Sequence, residues 1–413
     1  MAIDTLGANA LASNSVTTAK IAADAVTSAK IPAGAVVASD VADGSVTTAK
    51  LADNAVTSAK ALNLGRRNLV INGGMQVAQR ATSATGIGTA NGVYPTVDRM
   101  IIEVGNTGGR LTMSQESITD LPGFTKAVKL ACTTADTSIA ANEFLMLGTR
   151  FEGQNLQHLK KGTSSAEKVT VSFYVKGNAS ATYTCELRDQ DNTRFNNIEF
   201  SVTTSWTRVS LTFDGDTTGV LDNDANNSLK CNLFLHGGST YSGGSHTNNV
   251  WHTTTNQRLS DSQTSFFDST SRTLFVTGWQ MEVGDTASDF EHRSFAEELS
   301  LCQRYLYKTP LVPPSHLYHS LCVGMANGTT DMLFVLQFPV TMRTNPTLTT
   351  SGSFRVYNNG TVNPSGAITL HTGGVNNAGF IVPIGSGNVS TRDAVIFSLI
   401  TNTAGYMLFD AEL

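Results

Sequence analysis

From Val16 the sequence returns to itself every ten residues: VTTAKIAADA, VTSAKIPAGA, VVASDVADGS, VTTAKLADNA, and a final VTSAK at 56–60. A fixed short period constrains a chain more than any other feature, because each unit is too small to fold by itself. Position one is always Val (Val16, Val26, Val36, Val46, Val56), and position six is apolar (Ile21, Ile31, Val41, Leu51). Position nine carries Asp24, Gly34, Gly44 and Asn54, residue types that tolerate positive φ. Apolar residues therefore return every five positions, not at the three and four of a helix. Pro32 also opposes a helix interior. The β-branched Val-Thr-Thr start suits extended backbone, so each unit reads as a short strand plus a turn. One difficulty stands: a spacing of five puts Val and Ile on opposite faces of a straight strand.

Magnitudes decide how such a segment is held. Burying one Val and one Ile gives about 3–6 kcal/mol, whereas ordering ten residues costs about 10–20 kcal/mol. One copy cannot hold the structure, but several chains wound together can. The nine Val, Ile and Leu positions above are thus the candidate oligomerisation residues. A flexible Ala/Thr-rich linker is the bland alternative, and the strict register argues against it.

The chain as a whole is poor in charge (15% of 413 residues) and rich in Gly, with 36. That composition suits an all-β, turn-rich protein. A net charge of −5, with no basic cluster beyond Arg66-Arg67, gives no case for nucleic acid. The five cysteines, Cys132, Cys185, Cys231, Cys302 and Cys322, are odd in number and lack CxxC spacing. They read as small, buried, reduced thiols of a protein assembled in a reducing cell. The opening MAIDTLGANA lacks a basic start and an apolar stretch, so no signal peptide is expected. No apolar run reaches the ~20 residues that a membrane crossing needs.

In chain order, 66–80 reads as a short apolar strand stopped by Asn-Gly-Gly, and 81–95 as loop. Strand-like runs follow at 99–103, 127–131, 168–175, 182–187, 206–213, 230–235 and 273–282, separated by turn residues, the pattern of a sandwich. Ser294 and Glu297 form a capping box ahead of Leu299, Cys302 and Tyr305 at helical spacing, which predicts one short helix. A second set of strands is expected near 320–325, 332–340, 368–372, 380–383, 394–400 and 406–412. Asn327-Gly328 and Asn359-Gly360 supply hairpin turns there. The fold class is mainly β: a fibrous repeat region over 1–65, a β-sandwich over 66–292, a linker helix over 293–308 and an antiparallel β domain over 309–413.

RNLVINGGMQVAQRATSATG with YPTVDRMI resembles the opening of a domain found in tailed-bacteriophage fibre proteins, and TGWQMEVGDTASDFEHRSFAEELSLCQRYLYK resembles its end. The VTTAKI decapeptides are similar to N-terminal repeats of phage fibres. The region between the two motifs resembles jelly-roll carbohydrate-binding modules. The resemblance implies a virion structural protein, a tail fibre or similar appendage, and a homotrimer. Partners would be other tail or head proteins, reached through the N-terminal region, and a host cell-surface glycan. A head-attached fibre or decoration protein would share these features, and a glycan-hydrolysing tail spike is the enzymatic alternative.

Candidate chemistry is sparse. Asp214, Asp216 and Asp222 begin like a calcium loop, although Ala225 stands where an EF-hand requires Glu. A structural calcium there is the one cofactor the sequence suggests, against ordinary hairpin turns. His316 and His319 stand three apart, and His246 and His252 flank a Gly/Asn-rich loop. Neither pair finds further ligands at a zinc spacing. No pair of carboxylates is picked out for glycoside hydrolysis, and no GxSxG, HExxH or P-loop occurs, so the chain is read as non-catalytic. Trp206 and Trp279 sit in apolar strand patterns and read as core. Trp251 and Tyr241, in TYSGGSHTNNVWHTT, have no obvious strand to pack on and are the candidate glycan platform.

Overall fold

A computed structural model describes residues 21, 25–32, 34–42, 45–47, 50, 66–260, 262–309, 318–358, 361–385, 389–400 and 405–413. The chain divides into two compact units, Met1–Ala61 and Leu62–Leu413.

In the first unit the described residues form tight turns where short strands were expected. Ser28–Lys30 and Ala38–Asp40 are 3₁₀ turns, closed by Lys30 N–H to Thr27 O and Asp40 N–H to Val37 O, both 2.9 Å. Lys50 N–H to Thr47 O repeats the bond at 2.9 Å. A second turn follows five residues after the first, with Ala35 N–H to Pro32 O and Ser45 N–H to Ala42 O at 3.0 Å. Two turns per decade remove the difficulty of the straight strand, because the apolar spacing of five is the spacing of the turns. Ile21, Val26, Ile31, Val36, Val41 and Val46 are 41–57% exposed in the single chain. Val16, Leu51 and Val56 lie outside the described residues.

The second unit opens with a β-sandwich. Its strands are β1 (Ser83–Ile87), β2 (Ile101–Gly105), β3 (Arg110–Ser117), β4 (Lys126–Thr134), β5 (Phe144–Glu152), β6 (Val169–Gly177), β7 (Ala181–Asp189), β8 (Arg194–Val202), β9 (Thr207–Phe213), β10 (Asn227–Gly237) and β11 (Thr273–Val283). One sheet has the order β1-β3-β4-β11-β6-β9 and the other β2-β5-β10-β7-β8. All pairings are antiparallel, and β10 lies between β5 and β7 with Lys230 opposite both Arg150 and Arg188. Alternation sends Leu145, Leu147, Cys185, Leu187, Cys231 and Leu233 inward from the five-stranded sheet, against Val171, Phe173, Val276 and Trp279 of the other. All five cysteines are free thiols, four of them buried.

Two readings of the first segment change. Residues 66–80 form no strand: Asn72 and Met75 take φ of +62° and +57°, which extended pairing forbids. The turn is held by side chains instead. The Asn72 amide donates to Val77 O (2.8 Å) and Asp98 O (2.9 Å) while its oxygen accepts from Val77 N–H (2.9 Å). Residues 81–95, read as loop, contain β1, which borders β3.

The segment 66–80 also grips the end of the sandwich. Leu69 N–H donates to Met281 O (2.8 Å), Trp279 N–H to Gly73 O (2.9 Å), and Asn72 N–H to Glu298 Oε1 (2.5 Å). Arg66 and Asn68 N–H both reach the Glu291 carboxylate at 2.7 Å. Gly73 admits no side chain, because a Cβ there would stand 2.0 Å from the Trp279 carbonyl oxygen. The expected helix is α1 (Phe295–Gln303), with Ser294 Oγ accepting from Glu297 N–H at 3.3 Å.

The remaining strands are β12 (Leu306–Thr309), β13 (Tyr318–Ala326), β14 (Asp331–Gln337), β15 (Thr347–Ser351), β16 (Phe354–Asn358), β17 (Thr361–Pro364), β18 (Thr369–Gly373), β19 (Asn377–Pro383), β20 (Ala394–Ile400) and β21 (Tyr406–Asp410). They form a seven-stranded sheet, β17-β16-β20-β13-β14-β19-β18, and a three-stranded one, β12-β21-β15. Between them lies a separate core that includes Met332, Phe334, Phe354, Phe380, Phe397, Met407 and Phe409. The turn at Asn327-Gly328 joins β13 to β14, with Asn327 N–H to Asp331 O at 2.8 Å and Gly328 at φ +119°. Asn359-Gly360 lies outside the described residues.

Charged groups tie this layer to the sandwich. Glu152, fully buried, accepts from Arg304 (2.7 and 2.6 Å) and from Tyr305 OH (2.5 Å). Burial opposes its charge, but these donors hold its carboxyl below the usual range. Arg80 pairs with Asp410 at 2.9 Å, and buried Arg99 pairs with Glu412. Beside them Asp98, also buried, accepts from Gln79, at 2.8 and 2.6 Å. Burial wins there and pushes its carboxyl up to about 7.

Candidate functional site

The chain from Gly238 to Ser262 leaves β10 and crosses the outer side of the five-stranded sheet toward its edge strand, β8. Gly238 starts it because a Cβ there would stand 2.0 Å from Ala140 O; its N–H donates to Glu143 O at 3.0 Å. One helical turn follows at Ser239–Ser242. Further on the chain pairs with β8: Phe195 and His252 exchange N–H···O bonds of 2.8 and 2.9 Å, and Asn249 N–H donates to Asn197 O at 3.0 Å. The segment thereby covers an edge that would otherwise expose unpaired backbone groups.

What pins it is a buried ion pair. Arg258 donates through Nε and Nη2 to the two oxygens of Glu186 on β7, at 2.6 and 2.7 Å. Asn197 Nδ2 and Asn232 Nδ2 complete the carboxylate at 3.0 and 3.2 Å. Burial alone would push the Glu186 carboxyl up, but the charge and hydrogen bonds of Arg258 hold it below the usual range. The guanidinium lies 4.4 Å from the Phe195 ring centre, 5.2 Å from Phe234 and 5.3 Å from Tyr241.

Between this segment and β8 an open groove of about 670 Å³ remains, lined by Glu199, Ser242–His246, Asn248, Ser260 and Ser262. Its walls are hydroxyls, an amide, an imidazole, glycine backbone and one carboxylate. Asn248 Oδ1 accepts from Glu199 N–H (2.9 Å) and faces His246 Nε2 at 3.1 Å, while His246 Nδ1 faces Gln257 O at 3.0 Å. Ser260 and Ser262 share a 2.8 Å hydrogen bond, and Ser262 Oγ donates to Glu199 Oε1 at 3.3 Å. The polar groups are thus held in place by one another while much of their hydrogen-bonding capacity still faces the opening.

Tyr241 and Trp251 belong to different side-chain clusters. Tyr241 is half-buried against Phe144 and Phe234, with ring centres 5.7 and 5.4 Å away; burial pushes its hydroxyl up. Trp251, also half-buried, donates its indole N–H to Asp214 O at 2.6 Å, and Lys161 Nζ sits 4.7 Å from its ring centre. Neither residue is among those that line the groove.

The acidic turn is held by cations of the chain itself. Asp216, buried, accepts from Lys161 Nζ (2.8 Å), Arg194 Nε (2.7 Å) and Nη2 (3.1 Å). These partners overcome burial and hold its carboxyl below the usual range. Asp214 pairs with Lys168 at 3.0 Å, and Asp222 N–H donates to Asp191 Oδ2 at 2.9 Å. Among the described residues no three His, Cys, Asp or Glu side chains are grouped to hold a metal ion. His252 Nε2 faces Asn197 Oδ1 at 3.2 Å; His316 and the side chain of His319 lie outside the described residues.

Trp279 is fully buried core, as its strand pattern suggests. Trp206 is not: it is half-buried on the outer side of the six-stranded sheet, 6.2 Å from Phe275, with Lys176 Nζ 5.0 Å from its ring centre. Sequence reasoning also missed Glu199, Ser260 and Ser262. The signal for the two serines was an unusual density of hydroxyls between Ser239 and Ser262; Glu199 gave none.

No protein-family model matches the sequence, and no curated protein is similar to it. Solved structures resemble it over about half its length. A structure described as "CBM4 structure and function" covers 52% of this chain and 98% of its own, at 10% identity and a TM-score of 0.28. The enzymatically active domain of tailspike protein 4 from bacteriophage CBA120 covers 52% of this chain and 21% of its own, at 8% identity and 0.26. The family 11 carbohydrate-binding module from Clostridium thermocellum, in complex with a β-1,3-1,4-mixed-linked tetrasaccharide, covers 51% and 99%, at 10% identity and 0.24.

Proposed function

We propose that the chain is a non-catalytic recognition protein of a phage virion appendage, a tail fibre, and that it holds a host-surface saccharide in the groove between β8 and residues 242–262. The groove itself carries the reading. It falls in the size range of ligand sites, roughly 300–1,000 Å³, and it offers acceptors (Glu199, Asn248) beside hydroxyls that both donate and accept. A pyranose ring carries the same mixture of groups. In this reading Tyr241 and Trp251 fasten the groove segment, and the repeats gather several copies so that weak single sites add through avidity.

The test is direct binding of the full chain to a panel of bacterial surface polysaccharides, with a reducing-end assay on the same mixtures. Asn248→Ala removes an acceptor, and Glu199→Gln removes the charge that can strengthen a sugar hydrogen bond. Each should weaken binding about tenfold to a hundredfold, the value of one hydrogen bond to a charged or well-placed group; Glu199→Gln, which keeps an oxygen to accept from Ser262, should leave the melting temperature unchanged. Binding that both variants retain in full refutes the site, and released oligosaccharide refutes the non-catalytic assignment.

A further inference from the structure

We infer that the saccharide of the groove is an amino sugar whose free ammonium lies against Glu199. This rests on the saccharide reading above and names the class of sugar that the lining selects. Three lining hydroxyls have already spent their protons on the chain. Ser262 Oγ donates to Glu199 Oε1 at 3.3 Å, so the 2.8 Å bond between Ser260 and Ser262 takes its proton from Ser260. Ser242 Oγ donates back to Gly238 O at 3.4 Å. A hydroxyl holds one proton and two lone pairs, so these serines can only accept from a ligand. Gly243 and Gly244 N–H are also spent, on Ser239 O and Asn256 O, both at 2.8 Å.

His246 and Asn248 extend the pattern. His246 Nδ1 faces Gln257 O at 3.0 Å, and a carbonyl only accepts, so the neutral ring carries its proton on that nitrogen. Nε2 is then an acceptor, and it faces Asn248 Oδ1 at 3.1 Å. That amide atom is fixed as the oxygen, because it accepts from Glu199 N–H at 2.9 Å. Two acceptors thus stand side by side with no proton between them. The third acceptor is the half-buried Glu199 carboxylate, whose one partner among the described residues is Ser262. No Lys or Arg stands among the described lining residues, and Arg258 of the same segment is committed to Glu186. The Ser245 hydroxyl and the Asn248 Nδ2 amide are left to donate.

An opening that is rich in acceptors and negatively charged selects a group of the opposite character. An ammonium brings three donors, no lone pair and a positive charge, whereas a hydroxyl brings one donor together with two lone pairs. N-acetylation removes the charge and leaves a single N–H donor beside a new carbonyl acceptor. A uronic acid adds further lone pairs, and its carboxylate is repelled by Glu199. The ammonium is therefore the sugar substituent that meets Glu199, Asn248 Oδ1 and His246 Nε2 on their own terms, while Ser245 and the Asn248 amide serve the ring hydroxyls.

Methyl glycosides of glucosamine, galactosamine and mannosamine, each paired with its N-acetyl form, test this by saturation-transfer titration of the full chain at pH 7. At least one free amine should bind about tenfold more tightly than its acetylated partner, the worth of one charge-assisted hydrogen bond at a partly exposed site. Glu199→Gln should erase that preference without moving the melting temperature, and Nα-acetyl-lysine amide should bind no better than the acetylated sugars. Free and acetylated forms that bind alike, both weakened by Asn248→Ala, overturn the inference and leave the saccharide reading standing. A preference for the amine that survives Glu199→Gln overturns it as well, as does lysine amide bound as tightly as the amino sugars, which would mark a general cation site. Glycosides that all fail to bind while a surface polysaccharide binds make the sugar class wrong; a chain that binds none of them and no polysaccharide refutes both readings.

Discussion

Replacing Arg258 with Met tests whether the groove segment is held by its buried ion pair. The Met side chain keeps most of the apolar volume beside Phe195, so the change is mainly the loss of charge and of two hydrogen bonds, 2.6 and 2.7 Å long. Glu186, fully buried, would keep only two amide donors. Removing one partner of a buried pair typically costs about 3–5 kcal/mol, because an uncompensated charge remains. Urea unfolding of the full chain should report that loss at pH 7, and hydrogen exchange should show 238–262 opening first. Arg258→Met with Glu186→Gln removes both charges and should recover more than half of the deficit. The pH dependence follows from the sign of the shift. In the native protein the Glu186 carboxyl lies below its ordinary 4.5, so its contribution is present above that value and fades as pH falls through the lower folded one. Without Arg258, burial pushes the carboxyl up instead, and proton uptake relieves the strain. The defect of the single variant should therefore shrink between pH 7 and pH 5. A loss below about 1 kcal/mol at pH 7, or a large loss independent of pH, contradicts the argument.

Three further outcomes are expected. The Asp98 carboxyl sits at about 7 against an ordinary 3.8, so the folded state binds its proton more tightly and stability falls as pH rises from ~4 to ~7; melts of Asp98→Asn should lack that part of the slope. Gly73→Ala forces a methyl to within 2.0 Å of the Trp279 carbonyl and should cost about 1–3 kcal/mol or more, read by denaturant unfolding. Changing Val26, Ile31, Val36 and Val41 to Ser should weaken self-association in light scattering while the melting transition of the β unit is retained; an unchanged mass would place all assembly contacts elsewhere.

The strands were legible because alternation and turn residues are local. The runs around 127–131, 182–187, 230–235 and 273–282 each carry their own pattern, and the structure extends them by a few residues at most. β5 and β8 were not singled out. The FLML start of β5 is apolar on both faces because Tyr241 packs on Phe144 from outside, and RFNNIEFSV looks polar because Asn196 and Asn197 are buried in hydrogen bonds. The failure at 66–80 has a different cause. INGGMQV has strand-like ends, but Asn72 spends its side chain on the backbone and fixes a turn that only distant partners stabilise. The repeats show the same limit: a period of five fits a strand badly, and that misfit was the signal that the unit turns twice per decade.

The site was half legible, and the missing half is instructive. The stretch TYSGGSHTNNVWHTT stood out because large aromatics occurred where no strand could receive them, and the natural inference was that they faced a ligand. A half-exposed aromatic beside glycines has two physical uses, however: stacking on a ligand or fastening a loop that has no ladder of its own. Residues 239–248 belong to no strand and hold only one helical turn, so the segment needs fasteners. Tyr241 against Phe234 and Trp251 against Asp214 O are of that kind. What distinguishes the two uses is the partner that comes from far away in sequence, here Glu186, Phe195 and Asp214, and no local pattern announces it. Glu199 could not be found for the same reason, since it becomes part of a groove only when Asn248 reaches its backbone N–H from 49 residues away. Aromatic anchors and the polar groups between them thus form one construction, in which the visible residues fix the loop and the inconspicuous ones line its opening.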